Sequence, residues 1–186
     1  MKLISKVQLM ALSLVVSACA GATTVTNVSY EKSNLRGTFL FVASDREFLI
    51  EIHGNPSGES QVAFDASVIT AIQDSSFGRL TNFTSTPSAN TSDRFRMVMV
   101  FSGDRYTGAS SICRDVDSQD SVSDRVKIRA AFCYRDETLS QLDVAYTKGS
   151  SALGAAMSQV VINLFPDFDP IDDPRRGDDN EIILIP

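Results

Sequence analysis

The sequence predicts an α+β domain, a two-layer sandwich in which a mostly antiparallel sheet of about four to six strands carries two helices on one face. Three observations lead there. Short segments alternate apolar and polar residues with a period of two, two longer ones space apolar residues by three and four, and Gly, Pro, Asn and Asp separate them.

Thr38–Ala43 is apolar and partly β-branched or aromatic, and reads as a first strand. Arg46–His53 alternates, with Phe48, Ile50 and Ile52 on one face and Glu47, Glu51 and His53 on the other. Ser44-Asp45 between the two suits a hairpin turn. Gly54-Asn55-Pro56-Ser57-Gly58 ends the strand, and Ser57 or Ser60 caps a helix over about 60–74 with a stripe of Val62, Ala66, Ile69 and Ile72. A polar strand is expected over 80–85. Arg94–Phe101 follows as the strongest strand, with Phe95, Met97, Met99 and Phe101 on one face. Ile112–Arg114 reads as a short strand, and 115–124 as a solvated acidic loop. Val126–Tyr134 and Leu139–Tyr146 alternate again across a turn at Asp136-Glu137. Ser150 or Ser151 caps a second helix with the stripe Leu153, Ala156, Met157, Val160 and Leu164, which Pro166 stops. Phe48, Ile50, Ile52, Phe95, Met97, Met99, Phe132 and Val144 are expected to meet the helix stripes. The other face is expected to show Glu51, His53, Arg94, Arg96, Lys127, Arg129 and Asp143, with Leu49, Val98 and Val100 among them.

Residues 1–18 belong to a different kind of segment. Lys2 and Lys6 precede a short apolar run, Val7–Val16, and then the small residues Ser17 and Ala18. About ten residues are too few for a membrane span, which needs about 20. A positive start, a short apolar run and a small-residue end describe a secretory signal. Val16-Ser17-Ala18-Cys19 resembles the lipobox of bacterial lipoproteins, with Val16 where that family usually has Leu. The resemblance implies diacylglycerol on the Cys19 sulfur, cleavage before it and acylation of the new amine. With Ala20 rather than Asp next, it also implies transfer to the outer membrane, facing the periplasm. Two or more acyl chains anchor stably where one does not.

The expected organisation is therefore a signal peptide over 1–18, a lipidated N-terminus and tether over 19–36, one α+β domain over 37–165, and an acidic tail over 166–186 with an apolar end. Of 17 basic residues two fall in the leader, leaving 15 against 23 acidic residues and a net charge of −8. That balance argues against nucleic acid as a partner. Of the three cysteines, Cys19 takes the lipid, and Cys113 and Cys133 remain as a pair in an oxidising compartment, where a disulfide persists. Two free buried thiols are the alternative. A zinc site lacks further ligands.

Further stretches look like a group of small, uncharacterised proteobacterial lipoproteins: Ile52-His53-Gly54-Asn55-Pro56, Arg94–Phe101, Cys113, Ala131-Phe132-Cys133 and Leu164-Phe165-Pro166. That likeness covers most of 46–166 and brings no activity with it. The order of elements is also similar to periplasmic lipoproteins that assist envelope transport, such as the lipopolysaccharide-assembly lipoprotein, in topology alone.

No catalytic or cofactor constellation emerges from the residues. His53 is the single imidazole, and no serine sits in a nucleophile turn. Gly54–Gly58 lacks the lysine and glycine spacing of a phosphate loop and reads as a strand-to-helix turn. Asp115, Asp117 and Asp120, and later Asp167, Asp169, Asp172 and Asp173, lack the glycine and closing glutamate of a calcium loop. The chain is expected to be a non-enzymatic, outer-membrane-anchored periplasmic module without cofactor or metal, contacting the membrane through the Cys19 lipid and an envelope protein partner. The alternative is a small-ligand or lipid carrier with a pocket between helices and sheet, near Met97, Met99 and Met157. Glu181–Pro186, apolar behind an acidic spacer, is expected to pair with the domain's own sheet edge, with addition to a partner's sheet as the alternative.

Overall fold

A computed structural model describes residues 23–75, 81–102, 111–116, 123–149 and 151–167. Alternation dictates the strands and their faces. They are β1 (Thr24–Tyr30), β2 (Glu47–His53), β3 (Asn82–Thr84), β4 (Thr91–Ser102), β5 (Arg125–Tyr134) and β6 (Glu137–Thr147). The helices are α1 (Leu35–Ala43), α2 (Gln61–Asp74) and α3 (Ala152–Leu164).

The strands form one sheet in the order β1-β6-β5-β4-β2-β3. Pairing is antiparallel for β1/β6, β6/β5 and β5/β4. It is parallel on both sides of β2. The sheet is thus mixed though mostly antiparallel, and it carries three helices rather than two. The parallel part has a simple cause: β2 leads into α2, and a strand–helix–strand crossover returns the chain in the same direction. Gln73 near the end of α2 then holds β3 in place, donating to the Thr81 carbonyl at 2.7 Å and accepting from the Phe83 amide at 3.1 Å.

Register places the apolar sets opposite one another. Ile50 lies beside Met97, Met97 beside Phe132, and Ile128 beside Val144. These residues and the buried sides of all three helices form one cluster in which Phe48, Ile50, Met97, Met99 and Phe132 are fully buried and Ile52 and Phe95 partly so. Each large side chain so buried contributes about 1.5–3 kcal/mol.

The segment 38–43 is not a strand but the body of α1. Leu35, Phe39, Val42 and Ala43 recur at helical spacing and are the residues α1 buries. Phe39 stacks on Phe165 at 4.1 Å and meets Phe48 edge-on at 5.1 Å. Asp45, at φ 56°, turns the chain from helix to strand rather than between two strands. Nor is 24–36 a tether, since β1 and the start of α1 occupy it. Residues 112–114 form a turn. On α2, Ser60 caps the helix by accepting from the Ala63 amide at 3.3 Å. The buried stripe there is Phe64, Val68 and Ile72, and Val62 is 80% exposed. Phe64 sets that rotation by packing edge-on against Phe101 at 4.8 Å. On α3 the expected stripe is the buried one, with Leu153 at its margin. Its terminal Leu164 carbonyl accepts from the buried Ser140 hydroxyl at 2.9 Å, which satisfies one of the acceptors a helix end leaves open.

Two predictions follow from this packing. Gly54 turns at φ 76°, and a Cβ there would lie 2.1 Å from the Phe101 carbonyl oxygen. Gly54→Ala is therefore expected to cost about 2–3 kcal/mol, read as a lowered denaturation midpoint. Tyr146, buried on β6, has its phenol pushed up from 10.0 to about 12 by burial. Below pH 10 the phenol is neutral in both states. As pH rises toward 12, the unfolded chain alone sheds the proton, so stability falls by about 2–3 kcal/mol in total. Alkaline titration of the midpoint should show that slope, and Tyr146→Phe should flatten it.

Candidate functional site

The helices cover one sheet face, so polar chemistry gathers on the other. There the register sets Glu51 beside Val98, Arg96 beside Cys133 and Arg129 beside Asp143. Two zones result.

The first is a clamped segment. Cys113 and Cys133 lie at disulfide distance, with Cα atoms 5.6 Å apart and a sequence separation of 20. Arg96 reinforces the clamp. Its Nη2 donates to the Cys113 carbonyl at 2.7 Å and its Nη1 to the Arg135 carbonyl at 2.8 Å, while Nε lies 3.1 Å from a Glu51 carboxylate oxygen. The Ser111 and Thr138 hydroxyls meet at 2.6 Å. Residues 111–116 are thereby laid over Val98, Val100 and Ala131, which are buried with Ile112 and both cysteines in a small second core. Val98 and Val100, expected on this face, thus have a cover, and Leu49 is left partly exposed.

The second zone is a cleft of about 340 Å³ between β1, β5 and β6, lined by Thr24, Thr26, Asn27, Arg125, Lys127, Arg129 and Asp143 among others. Arg129 forks onto Asp143, with Nε to Oδ1 at 2.6 Å and Nη2 to Oδ2 at 2.9 Å. Both side chains are mostly buried, at 18% and 22% exposed, so the paired geometry offsets the cost of removing their charges from water. Asn27 adds a third bond, donating to Asp143 Oδ2 at 2.7 Å. It does so from a bulge in β1, where its φ of 53° is a left-handed conformation that Asn tolerates better than most residues. The Asp143 carboxylate is thus engaged, and Arg125 and Lys127 add two cationic side chains to the lining.

His53 ends β2 beside Val100, and its Nε2 is enclosed without a hydrogen-bond partner. Among the described residues no hydrogen bond or ion pair joins it to a serine or a carboxylate, and Glu51, two residues back, pairs with Arg96. The Gly54–Gly58 stretch is a strand-to-helix turn tied by Asn55, which donates to the Glu59 carbonyl at 2.8 Å and accepts from the Ser57 amide at 2.9 Å. Of the aspartates weighed as cation ligands, Asp115 and Asp167 are described. Asp167 pairs with Arg36, and no group of metal-ligating side chains occurs among the described residues. Cys19 and Glu181–Pro186 lie outside the described residues. Met97, Met99 and Met157 are all fully buried in the main core.

Sequence reasoning missed β1, and with it Asn27 and the cleft. The signal was present in the β-branched run Thr24-Val25-Thr26, whose Val25 packs against the core while its threonines face the cleft.

No family model matches this chain, and no curated protein matches it in sequence. Solved structures similar to it include the PelC dodecamer of Paraburkholderia phytofirmans, at 11% identity and a TM-score of 0.43, over 78% of this chain and 97% of that one. A single-substitution variant of the same dodecamer is similar at 12% identity and a TM-score of 0.43, over 77% and 98% of the two chains.

A bond between Cys113 and Cys133 closes a loop worth about 3 kcal/mol in chain entropy. Reduction, or Cys133→Ser, should lower the denaturation midpoint accordingly and open 111–116 to protease. An unchanged midpoint on reduction would mean that the thiols are free.

Proposed function

We propose that the chain is a lipid-anchored, outer-membrane module facing the periplasm, which acts without catalysis by contacting another envelope component through its helix-free sheet face. The observation that carries this reading is the start of β1 at Thr24. Only Ala20–Thr23 lie between the lipobox cysteine and the first strand. Fully extended, that connection spans about 17 Å. A thiol bearing acyl chains would therefore hold the sheet at the headgroup level instead of letting it reach across the periplasm. The strand register adds to this. Thr24, Lys127 and Ala145 are aligned, so the cleft opens at the end of the sheet nearest the anchor. No helix among the described residues is long and apolar enough to cross a membrane.

The carrier alternative calls for space between helices and sheet. The three methionines expected to line that space are fully buried in the main core. A groove of about 650 Å³ between α1 and the sheet is lined by Leu35, Thr38, Phe95, Tyr134 and Leu139 instead.

Cells supplied with labelled fatty acid test the anchor. The native chain should carry the label and fractionate with the outer membrane, and Cys19→Ser should lose both. Equal label and partitioning in the two forms would refute the anchor. A photo-crosslinker at Lys127 should then capture one envelope protein that the same group at Val62, on the helical side, does not. Capture of lipid alone from both positions would refute the contact role.

A further inference from the structure

Charge is unevenly spread over the helix-free face. The cleft between β1, β5 and β6 holds three cationic side chains, Arg125, Lys127 and Arg129, against one carboxylate, Asp143. The chain as a whole carries a formal net charge of −6, so this positive concentration is local. Asp143 does not serve the other two cations. The fork of Arg129 takes both its oxygens, and Asn27 shares one of them. Lys127 and Arg129 have further interactions of their own, whereas the Arg125 side chain enters no ion pair among the described residues.

Strand register arranges the donors. Thr24 and Lys127 stand on either side of Ala145, and the same row runs on to Ser102. In the next row Thr26 and Arg129 flank Asp143. Ser102, only 5% exposed, has a hydroxyl with no hydrogen-bond partner. This end of the face thus has donors beyond what its own acceptors use, an imbalance that an oxygen-rich ligand would relieve.

We propose that this cleft binds a phosphate ester, with Lys127 and Arg125 facing its charge and Thr26 donating from the β1 side. A planar carboxylate is best held by a forked guanidinium, and Arg129 already spends its fork on Asp143. What is left is an ammonium, an exposed guanidinium and a hydroxyl from another strand. Donors of that kind surround a tetrahedral anion better than a flat one. The 340 Å³ of the cleft leaves room beside the phosphate for the group that bears it. The site stands on β1, β5 and β6 alone. It needs neither the acylated cysteine nor a protein partner, so it holds or fails apart from the contact role proposed above.

Titrating the isotope-labelled full chain with glycerol 3-phosphate, and separately with short-chain phosphatidylglycerol below its micelle concentration, tests this. The amide signals of Thr26, Lys127 and Arg129 should shift saturably, and acetate at equal ionic strength should leave them in place. Arg125→Gln with Lys127→Gln should weaken binding about tenfold or more while circular dichroism stays native. Arg125→Gln alone, at an exposed side chain, should weaken it less, and Lys127→Arg should retain it. Phosphatidylglycerol bound as tightly as glycerol 3-phosphate, or more so, would assign the phosphate to a lipid headgroup. Tighter binding of glycerol 3-phosphate would assign it to a soluble ester. No saturable shift with either ligand, an equal response to acetate, or binding indifferent to the Arg125 and Lys127 changes would overturn the proposal.

Discussion

Five phenylalanines hold the two layers in register. Phe39 of α1 stacks on Phe165 past the end of α3 and on Phe83 of β3. Phe48 of β2 meets Phe39 and Phe83 edge-on, and Phe132 of β5 meets Phe165 at 5.1 Å. Aromatic pairs contribute about 0.5–1.5 kcal/mol each beyond the area they bury. Here they also join residues from opposite ends of the chain, so the position of α1, the end of α3 and the parallel strand β3 are settled together. The pairing of Asp167 with Arg36 follows from the same cluster.

The two faces of the sheet divide the molecule's chemistry. On the helical side the contacts are mostly apolar, and Ser140, fully buried there, answers a specific acceptor at a helix end. On the other side charges occur in matched sets. Arg96 and Arg129 each reach a carboxylate and extend their remaining donors to a carbonyl or share the acceptor with Asn27. Such pairs fix geometry more than they add stability, because desolvation takes back much of the attraction. What they specify is the lid of residues 111–116 and the bulge of β1, the two features that give this face its relief.

Much of this was legible in the residues. Arg94–Phe101, Val126–Tyr134 and Leu139–Tyr146 alternate so strictly that their faces, and the core they enclose, could be read directly. The stripe of α3 was equally plain, as was the cap at Ser60. Local pattern failed where distant partners decide. Thr38–Ala43 has the composition of a strand, yet Phe39 must reach both Phe48 and Phe165, and only a helix starting at Leu35 presents it so. Val62 lost its place in the core to Phe64 for a similar reason, since the larger ring found Phe101. The helix-free face was half visible. Its charges were named from alternation, but the pairing of Arg129 with Asp143 depends on inter-strand register. The staple from Arg96 to Cys113 depends on a turn whose path no local signal encodes.

The placement of β1 has a consequence for how the molecule comes into being. Thr24 pairs with Ala145, and Tyr30 with Ser140, so the earliest strand to be synthesised binds almost the last. Non-local pairing of this kind delays folding, because the intervening loop must close before any contact rewards it. Until β6 arrives, β5 keeps an unsatisfied edge and the sheet cannot be completed. A chain that emerges from its N-terminus onward therefore has β1 waiting until β6 has followed it.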